Sequence, residues 1–89
     1  MISDLENQIA EKIFIKIENW NLYLGDAGLA RKLAIECIGN LDQGSLSSAK
    51  IGLNKIYVKI GDQKESIPLS KFVTKQQLFD LEEILNEFN

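Results

Sequence analysis

The sequence predicts an α+β domain in which a helical hairpin packs with a two-stranded antiparallel β-hairpin and a C-terminal helix. Apolar residues recur every three or four positions near both ends of the chain, which is typical of amphipathic helices. Between them, residues 56–69 alternate around a glycine-containing turn, as in a hairpin. With 89 residues, 45% of them hydrophobic and 26% charged, the chain is expected to be one globular domain over residues 1–89.

The first helix is predicted from about Asp4 to Leu24. Ile13, Ile15 and Ile17 also alternate as in a strand, but only over five residues, so the longer helical pattern is preferred. The apolar stripe of this helix consists of Leu5, Ile9, Ile13, Ile17, Trp20 and Leu24.

Capping residues define the ends of this helix and the start of the next one. Ser3 with Glu6 forms a capping box, and Gly25 can supply the left-handed residue that ends a helix. Asp26 is a good N-cap for a second helix over Ala27–Leu41. The apolar face of that helix contains Leu29, Leu33, Ile38 and Leu41, with Ala30, Ala34 and Cys37 between them.

The middle of the chain predicts a turn and helix cap at Gly44–Ser48, a short helix at most over residues 48–53, and then a hairpin. Its strands cover residues 56–60 and 65–69, and Gly61–Lys64 forms the turn. Pro68 has no N–H to donate, so the second strand is expected at a sheet edge.

The last helix is predicted over Lys75–Glu87. Thr74 with Gln77 three residues later forms a second capping box. The apolar stripe consists of Leu78, Leu81, Leu85 and Phe88.

The composition argues against an enzyme, a cofactor and a metal site. The chain has no histidine and one cysteine, which excludes Ser-His-Asp and Cys-His catalysis and a structural zinc site. Cys37 lies on an apolar helix face and is expected to be buried and inert. Asp80 and Glu83 share the polar face of the last helix, which is typical of a solvated surface.

Two patterns resemble nucleic-acid-binding motifs. Gly25–Gly28 has the G-x-x-G spacing of the KH module, although Asp26 would place a negative charge beside a phosphate. The stretch Leu29–Ile35, with Arg31 and Lys32, resembles the first helix of a helix-turn-helix whose wing would be the basic hairpin. The residues that follow are acidic and apolar, and the pI is near 4.9. Nucleic acid is therefore kept as the alternative to a protein partner.

The distribution of charge favours a protein partner with an acidic surface. Residues 50–75 carry a net charge of +4, whereas the chain as a whole carries −3. Trp20 is expected to pack in the core and Tyr23 to be partly exposed. The predicted partner-binding residues are Tyr57, Lys55, Lys59, Lys64, Lys71 and Tyr23.

No secretory signal or membrane-spanning stretch is recognised, so a cytoplasmic, reducing compartment without membrane insertion is expected. A homo-oligomer formed through the edge strand Glu65–Leu69 is a further alternative.

The whole chain also resembles a family of small cyanobacterial proteins that carry a domain of unknown function. The resemblance lies in Trp20-x-Leu22-Tyr23-Leu24-x-Asp26-Ala27-x-Leu29, Gly44-Ser45-Leu46-Ser47, Lys59-Ile60-Gly61 and Ile67-Pro68-Leu69. It implies a cytoplasmic or thylakoid-associated protein of a photosynthetic bacterium, and it implies no catalytic residue. Because the chain shows no catalytic chemistry, we expect a non-catalytic interaction or assembly/regulatory accessory protein, and the resemblance links that role to the photosynthetic machinery.

Overall fold

The computed structural model of the chain describes residues 2–17, 19–59 and 66–88. These residues form five α-helices, two short 3₁₀ turns and two two-stranded antiparallel sheets, which confirms the predicted α+β class. The elements are, in chain order, α1 (Ile2–Lys12), β1 (Phe14–Ile17), β2 (Trp20–Tyr23), α2 (Leu24–Ala27), α3 (Ala30–Gly39), a 3₁₀ turn (Leu41–Gln43), α4 (Ser45–Lys55), β3 (Tyr57–Val58), β4 (Ile67–Pro68), a second 3₁₀ turn (Leu69–Lys71) and α5 (Lys75–Asn86).

The predicted first helix over Asp4–Leu24 is wrong, because the chain leaves the helix after Lys12 and forms a hairpin. The helix also begins earlier, at Ile2, so Ser3 lies inside its first turn and is not the N-cap. The helical stripe continues only as far as Ile13, whose N–H still donates to the Ile9 carbonyl oxygen at 3.0 Å.

Strands β1 and β2 replace the second half of the predicted helix. They pair antiparallel, with Ile15 opposite Leu22 and Ile17 opposite Trp20. Ile13 and Ile15 are fully buried on the core-facing side of this sheet. β-branched and aromatic residues fit a half-buried pleated surface better than a helix. They are dense in this segment, which therefore forms strands that pack on the core and not a continuation of the helix.

Gly25 does not end a long helix; it lies inside α2, where it packs on α1. A Cβ at Gly25 would lie 2.8 Å from the Ala10 Cβ and 2.9 Å from the Ala10 carbonyl oxygen, so only glycine allows this approach. Gly28, with φ of 72°, provides the left-handed cap. Asp26 is therefore a residue of α2, not the N-cap of the second predicted helix.

Helix α3 covers Ala30–Gly39, inside the predicted range Ala27–Leu41, and α4 is much longer than the predicted short helix. The residue before α4 is Gly44, with φ of 98°, and no side chain caps the helix start. Ser48 instead donates its hydroxyl hydrogen to the Cys37 carbonyl oxygen at 2.5 Å. This bond joins α3 to α4 inside the core.

The hairpin predicted over residues 56–69 is confirmed in its pairing, but its strands are shorter than expected. Tyr57 lies opposite Pro68 and Val58 opposite Ile67. The Leu69 N–H donates to the Ile56 carbonyl oxygen at 2.8 Å, so in the alternating antiparallel pattern residue 68 needs no ladder N–H. The turn predicted at residues 61–64 lies outside the described residues.

Helix α5 confirms the predicted C-terminal helix and half of its capping box. The Gln77 N–H donates to Thr74 Oγ1 at 3.2 Å. The Gln77 side chain does not return to Thr74, however. Its Oε1 accepts the Phe14 N–H at 2.8 Å, and its Nε2 donates to Asp80 Oδ2 at 2.8 Å. Gln77 is buried, and it connects α5 to the first sheet.

One hydrophobic core lies between α1, α3, α4, α5 and the first sheet. In the part of the chain that the structure describes, no helix is long and apolar enough to cross a membrane. The fully buried large side chains of the core include Leu5, Ile9, Ile13, Ile15, Leu24, Leu33, Leu69, Leu81 and Leu85.

We predict that Gln77→Ala lowers the free energy of unfolding by roughly 1–3 kcal/mol, because it leaves the part-buried Phe14 N–H without its acceptor. Gln76→Ala is the matched control, since the exposed Gln76 amide bonds to Asp80 within the same helix and, among the described residues, to no other element. Its effect should stay within about 0.5 kcal/mol. Urea unfolding of both variants measures the difference, and equal losses would contradict the role assigned to Gln77.

Candidate functional site

The candidate site is a surface groove of about 300 Å³ between α3 and the start of β3, which we call the Tyr57 groove. It combines two exposed apolar side chains with three charged ones. Its lining residues are Lys32, Ile35, Glu36, Lys55, Ile56 and Tyr57.

Exposed apolar side chains come to this groove from both elements. Ile56 is buried, so the next residue along the extended chain, Tyr57, points outward, and 58% of its surface is exposed. On α3, Leu33 and Cys37 face the core, which leaves Ile35 on the opposite side with 50% of its surface exposed. An aromatic ring and an aliphatic side chain therefore face solvent in one place.

The charged residues of the groove are predominantly basic. Lys55 Nζ lies 3.9 Å from Glu36 Oε2; the Lys55 side chain is largely open to solvent and the Glu36 side chain is partly exposed. Such a long, exposed ion pair contributes little and breaks readily. Lys32 is exposed in the same groove. Both lysines are therefore accessible to an approaching partner.

The structure brings together two of the six predicted partner-binding residues, Tyr57 and Lys55. Lys59 is exposed just after β3, and Lys71 is exposed on the second 3₁₀ turn. Lys64 lies outside the described residues. Sequence reasoning missed Ile35, although its position off the apolar face of α3 was a usable signal.

Tyr23, the sixth predicted residue, lies in a separate groove of about 330 Å³ between α1 and α5. Its ring packs on Phe14 with centroids 5.2 Å apart. The lining is predominantly acidic and shares no residue with the Tyr57 groove, so Tyr23 belongs to a different surface from Tyr57. This groove is lined by Gln8, Glu11, Lys12, Tyr23, Asp80, Glu83, Ile84 and Glu87.

The prediction that Trp20 packs in the core is wrong, since 54% of its surface is exposed. The predicted helix would have placed Trp20 on a buried stripe. In the hairpin it instead lies at the end of the ladder, opposite Ile17.

The structure places the residues of the two nucleic-acid resemblances in α2, in its cap and in α3. Gly25–Gly28 forms α2 and its cap rather than a loop between two long helices. Arg31 Nη1 lies 3.2 Å from Glu6 Oε1, which directs its charge toward α1, whereas Lys32 faces the Tyr57 groove.

Cys37 is buried, as predicted. Desolvation by burial raises the pKa of its thiol to about 12; the Ser48 hydroxyl opposes this shift and the Glu36 charge adds to it. The thiol is therefore protonated at neutral pH, and only the thiolate is a good nucleophile. No cluster of His, Cys, Asp and Glu suited to a metal ion occurs among the described residues.

We predict that a thiol-specific maleimide at pH 8 leaves Cys37 unmodified in the folded protein and modifies it rapidly in denaturant. Burial blocks access, and the raised pKa keeps the thiolate scarce at this pH. Mass spectrometry of timed samples measures the two rates. Comparable rates in the folded and unfolded protein would contradict the inert role of this thiol.

Comparison with known proteins gives a family for the chain. No curated protein and no solved structure matches it. The family of proteins of unknown function DUF3181 matches residues 2–88, which is almost the entire length. The chain therefore belongs to the DUF3181 family.

Proposed function

We propose that this chain is a non-catalytic interaction protein with an assembly or regulatory accessory role, which binds an acidic protein surface through the Tyr57 groove. The observation that carries the proposal is the exposure of Tyr57 and Ile35 in one groove, which Lys32 and Lys55 also line.

An exposed aromatic next to an aliphatic side chain is typical of the central anchor of a protein interface. Tyrosine is enriched among the residues whose removal weakens binding most. It buries a large area at a small cost in side-chain entropy, and its hydroxyl retains a polar partner. Because 58% of the surface of Tyr57 is exposed, a partner surface can cover a large part of its ring.

The lysines of the groove favour an acidic partner. The chain carries a net charge of −3, but positive charge is concentrated around β3. Lys32 and Lys55 line the groove, and Lys59 follows Tyr57 by two residues in the sequence. Complementary charge at an interface rim speeds encounter and excludes partners of the wrong sign. Binding of this kind should weaken as salt is added.

The resemblance described in the sequence supports a more specific role. It suggests a cyanobacterial origin and a place in the cytoplasm or at the thylakoid, where the chain would serve the photosynthetic machinery. The membership in a family of unknown function is compatible with that role.

We predict that Tyr57→Ala weakens binding to the partner about 30-fold or more, which corresponds to ~2 kcal/mol at a central anchor. The partner is first isolated from a native cyanobacterial lysate with tagged chain, with and without nuclease, and then titrated against purified variants. Lys50→Glu is the matched charge control, since Lys50 lies on the same helix as Lys55 but lines another groove. It should bind like the wild type.

The double variant Lys32→Glu and Lys55→Glu should also bind weakly, and its binding should depend less on salt than that of the wild type. Equal binding by Lys50→Glu and the groove variants would contradict this choice of surface.

The nucleic-acid alternative uses Arg31, Lys32 and the hairpin, and the observation in its favour is that Lys32 and Tyr57 share one groove. Capture that disappears with nuclease, together with a steep loss of affinity with salt, would favour it over the protein partner.

A further inference from the structure

The sheet formed by β1 and β2 has one closed edge and one open edge. On the β1 side, the Phe14 N–H donates to Gln77 Oε1 at 2.8 Å, and the Lys16 N–H donates to the Phe72 carbonyl oxygen at 3.0 Å. Both outward-facing N–H groups of β1 therefore have acceptors from the C-terminal part of the chain.

The register shows which main-chain groups face outward on β2. The Leu24 N–H donates to the Ile13 carbonyl oxygen, so in the alternating antiparallel pattern Leu22 also bonds across the ladder. Asn21 and Tyr23 then direct their N–H groups away from β1. Among the described residues, no group outside the sheet bonds to the main chain of Asn21.

The open edge is short, with four residues in β2, but it lacks the charge and the proline that often prevent strand pairing. Residues 19–23 contain no charged residue and no proline, whereas β4 contains Pro68. Trp20 and Asn21 are exposed, and Trp20 extends from the same side of the sheet as Leu22. An uncharged edge with free main-chain groups is a template for an added strand.

We propose that β2 pairs antiparallel with β2 of a second copy of this chain, across a two-fold axis at Asn21, to form a four-stranded sheet. The two Asn21 residues exchange two main-chain hydrogen bonds. The Tyr23 N–H donates to the Asn19 carbonyl oxygen of the other copy, and symmetry repeats this bond. The interface is distinct from the Tyr57 groove.

The same pairing covers the exposed tryptophan. With Asn21 on the axis, Trp20 lies opposite Leu22 of the second copy, in the closer type of antiparallel pair. An aromatic–aliphatic pair of this kind stabilises a sheet, and the axis produces it twice. Trp20 is then covered by apolar surface from the second copy.

The charges favour a second copy over a charged partner as the occupant. A two-fold axis places each strand beside its own sequence, so a charged strand would repel itself, and residues 19–23 carry no charge to do so. A contact between two short strands buries less area than a standard interface of roughly 1,600 Å². We therefore expect a dissociation constant of ~10 μM or weaker.

We predict that Asn21→Cys forms an intermolecular disulfide at least tenfold faster than Tyr23→Cys under mild oxidation. Across the axis the two Cα atoms of residue 21 lie about 5.5 Å apart, within the range of about 4.4–6.8 Å for a disulfide. The two residues 23 are offset by about 13 Å along the strand, too far to bridge. The buried Cys37 does not compete.

Sedimentation of the wild type gives the second readout. The mass should rise from 10.0 kDa toward twice that value between about 1 μM and about 1 mM, and the emission of the single tryptophan should shift to the blue. A constant monomer mass would overturn the proposal. So would a dimer in which Asn21→Cys and Tyr23→Cys cross-link equally fast, because it would use another surface.

Discussion

The hydrogen bond from the Phe14 N–H to Gln77 Oε1 joins the first sheet to α5, beside the core through which α1 and α5 pack. It joins residues 63 positions apart, and it is made by a side chain that the capping box would have used locally. The bond fixes the start of β1 against the first turn of α5. The core-facing side of the sheet, with Ile13 and Ile15, is thereby held over the helices. A polar group at this depth is stable only when its bonds are made, and Gln77 uses both ends of its amide.

The same arrangement explains which edge of the first sheet is open to a partner. Closing β1 with Gln77 and with the Phe72 carbonyl oxygen leaves β2 as the exposed side of the sheet. On another part of the surface, α3 and β3 bring Ile35 and Tyr57 to solvent. With the open edge of β2 and the Tyr57 groove, one chain could pair with a second copy and bind a different protein at the same time. The buried, protonated Cys37 takes part in neither surface.

The sequence predicted the parts of the fold in which one periodicity stands alone. Helix α5 with its Thr74 cap and the pairing of β3 with β4 follow from patterns that no competing pattern contradicts. The prediction of the first helix was wrong for a physical reason. A spacing of four residues returns to the same face in a helix and also in a strand, so Ile13 and Ile17 fit both structures. The density of β-branched and aromatic residues was the better discriminator.

The candidate site could be predicted only in part. The outward position of Tyr57 follows from its alternation with Ile56, and Lys55 precedes both in the chain. The exposure of Ile35 could be read from its position off the apolar face of α3. That Lys32 and Ile35 share a groove with Tyr57 depends on tertiary packing, which no local pattern encodes. The prediction that Trp20 is buried was wrong for the same reason as the prediction of the first helix. The exposure of Trp20 could be predicted only if the hairpin was recognised.

Amide hydrogen exchange at single-residue resolution tests the closed and open edges of the sheet most directly. In dilute protein, the Phe14 and Lys16 amides should exchange slowly and the Asn21 amide quickly, since only the first two have acceptors. Raising the protein concentration should slow exchange at Asn21 while leaving Phe14 unchanged. Exchange at Phe14 as fast as at Asn21, or protection of Asn21 already at high dilution, would contradict this account of the fold and its pairing edge.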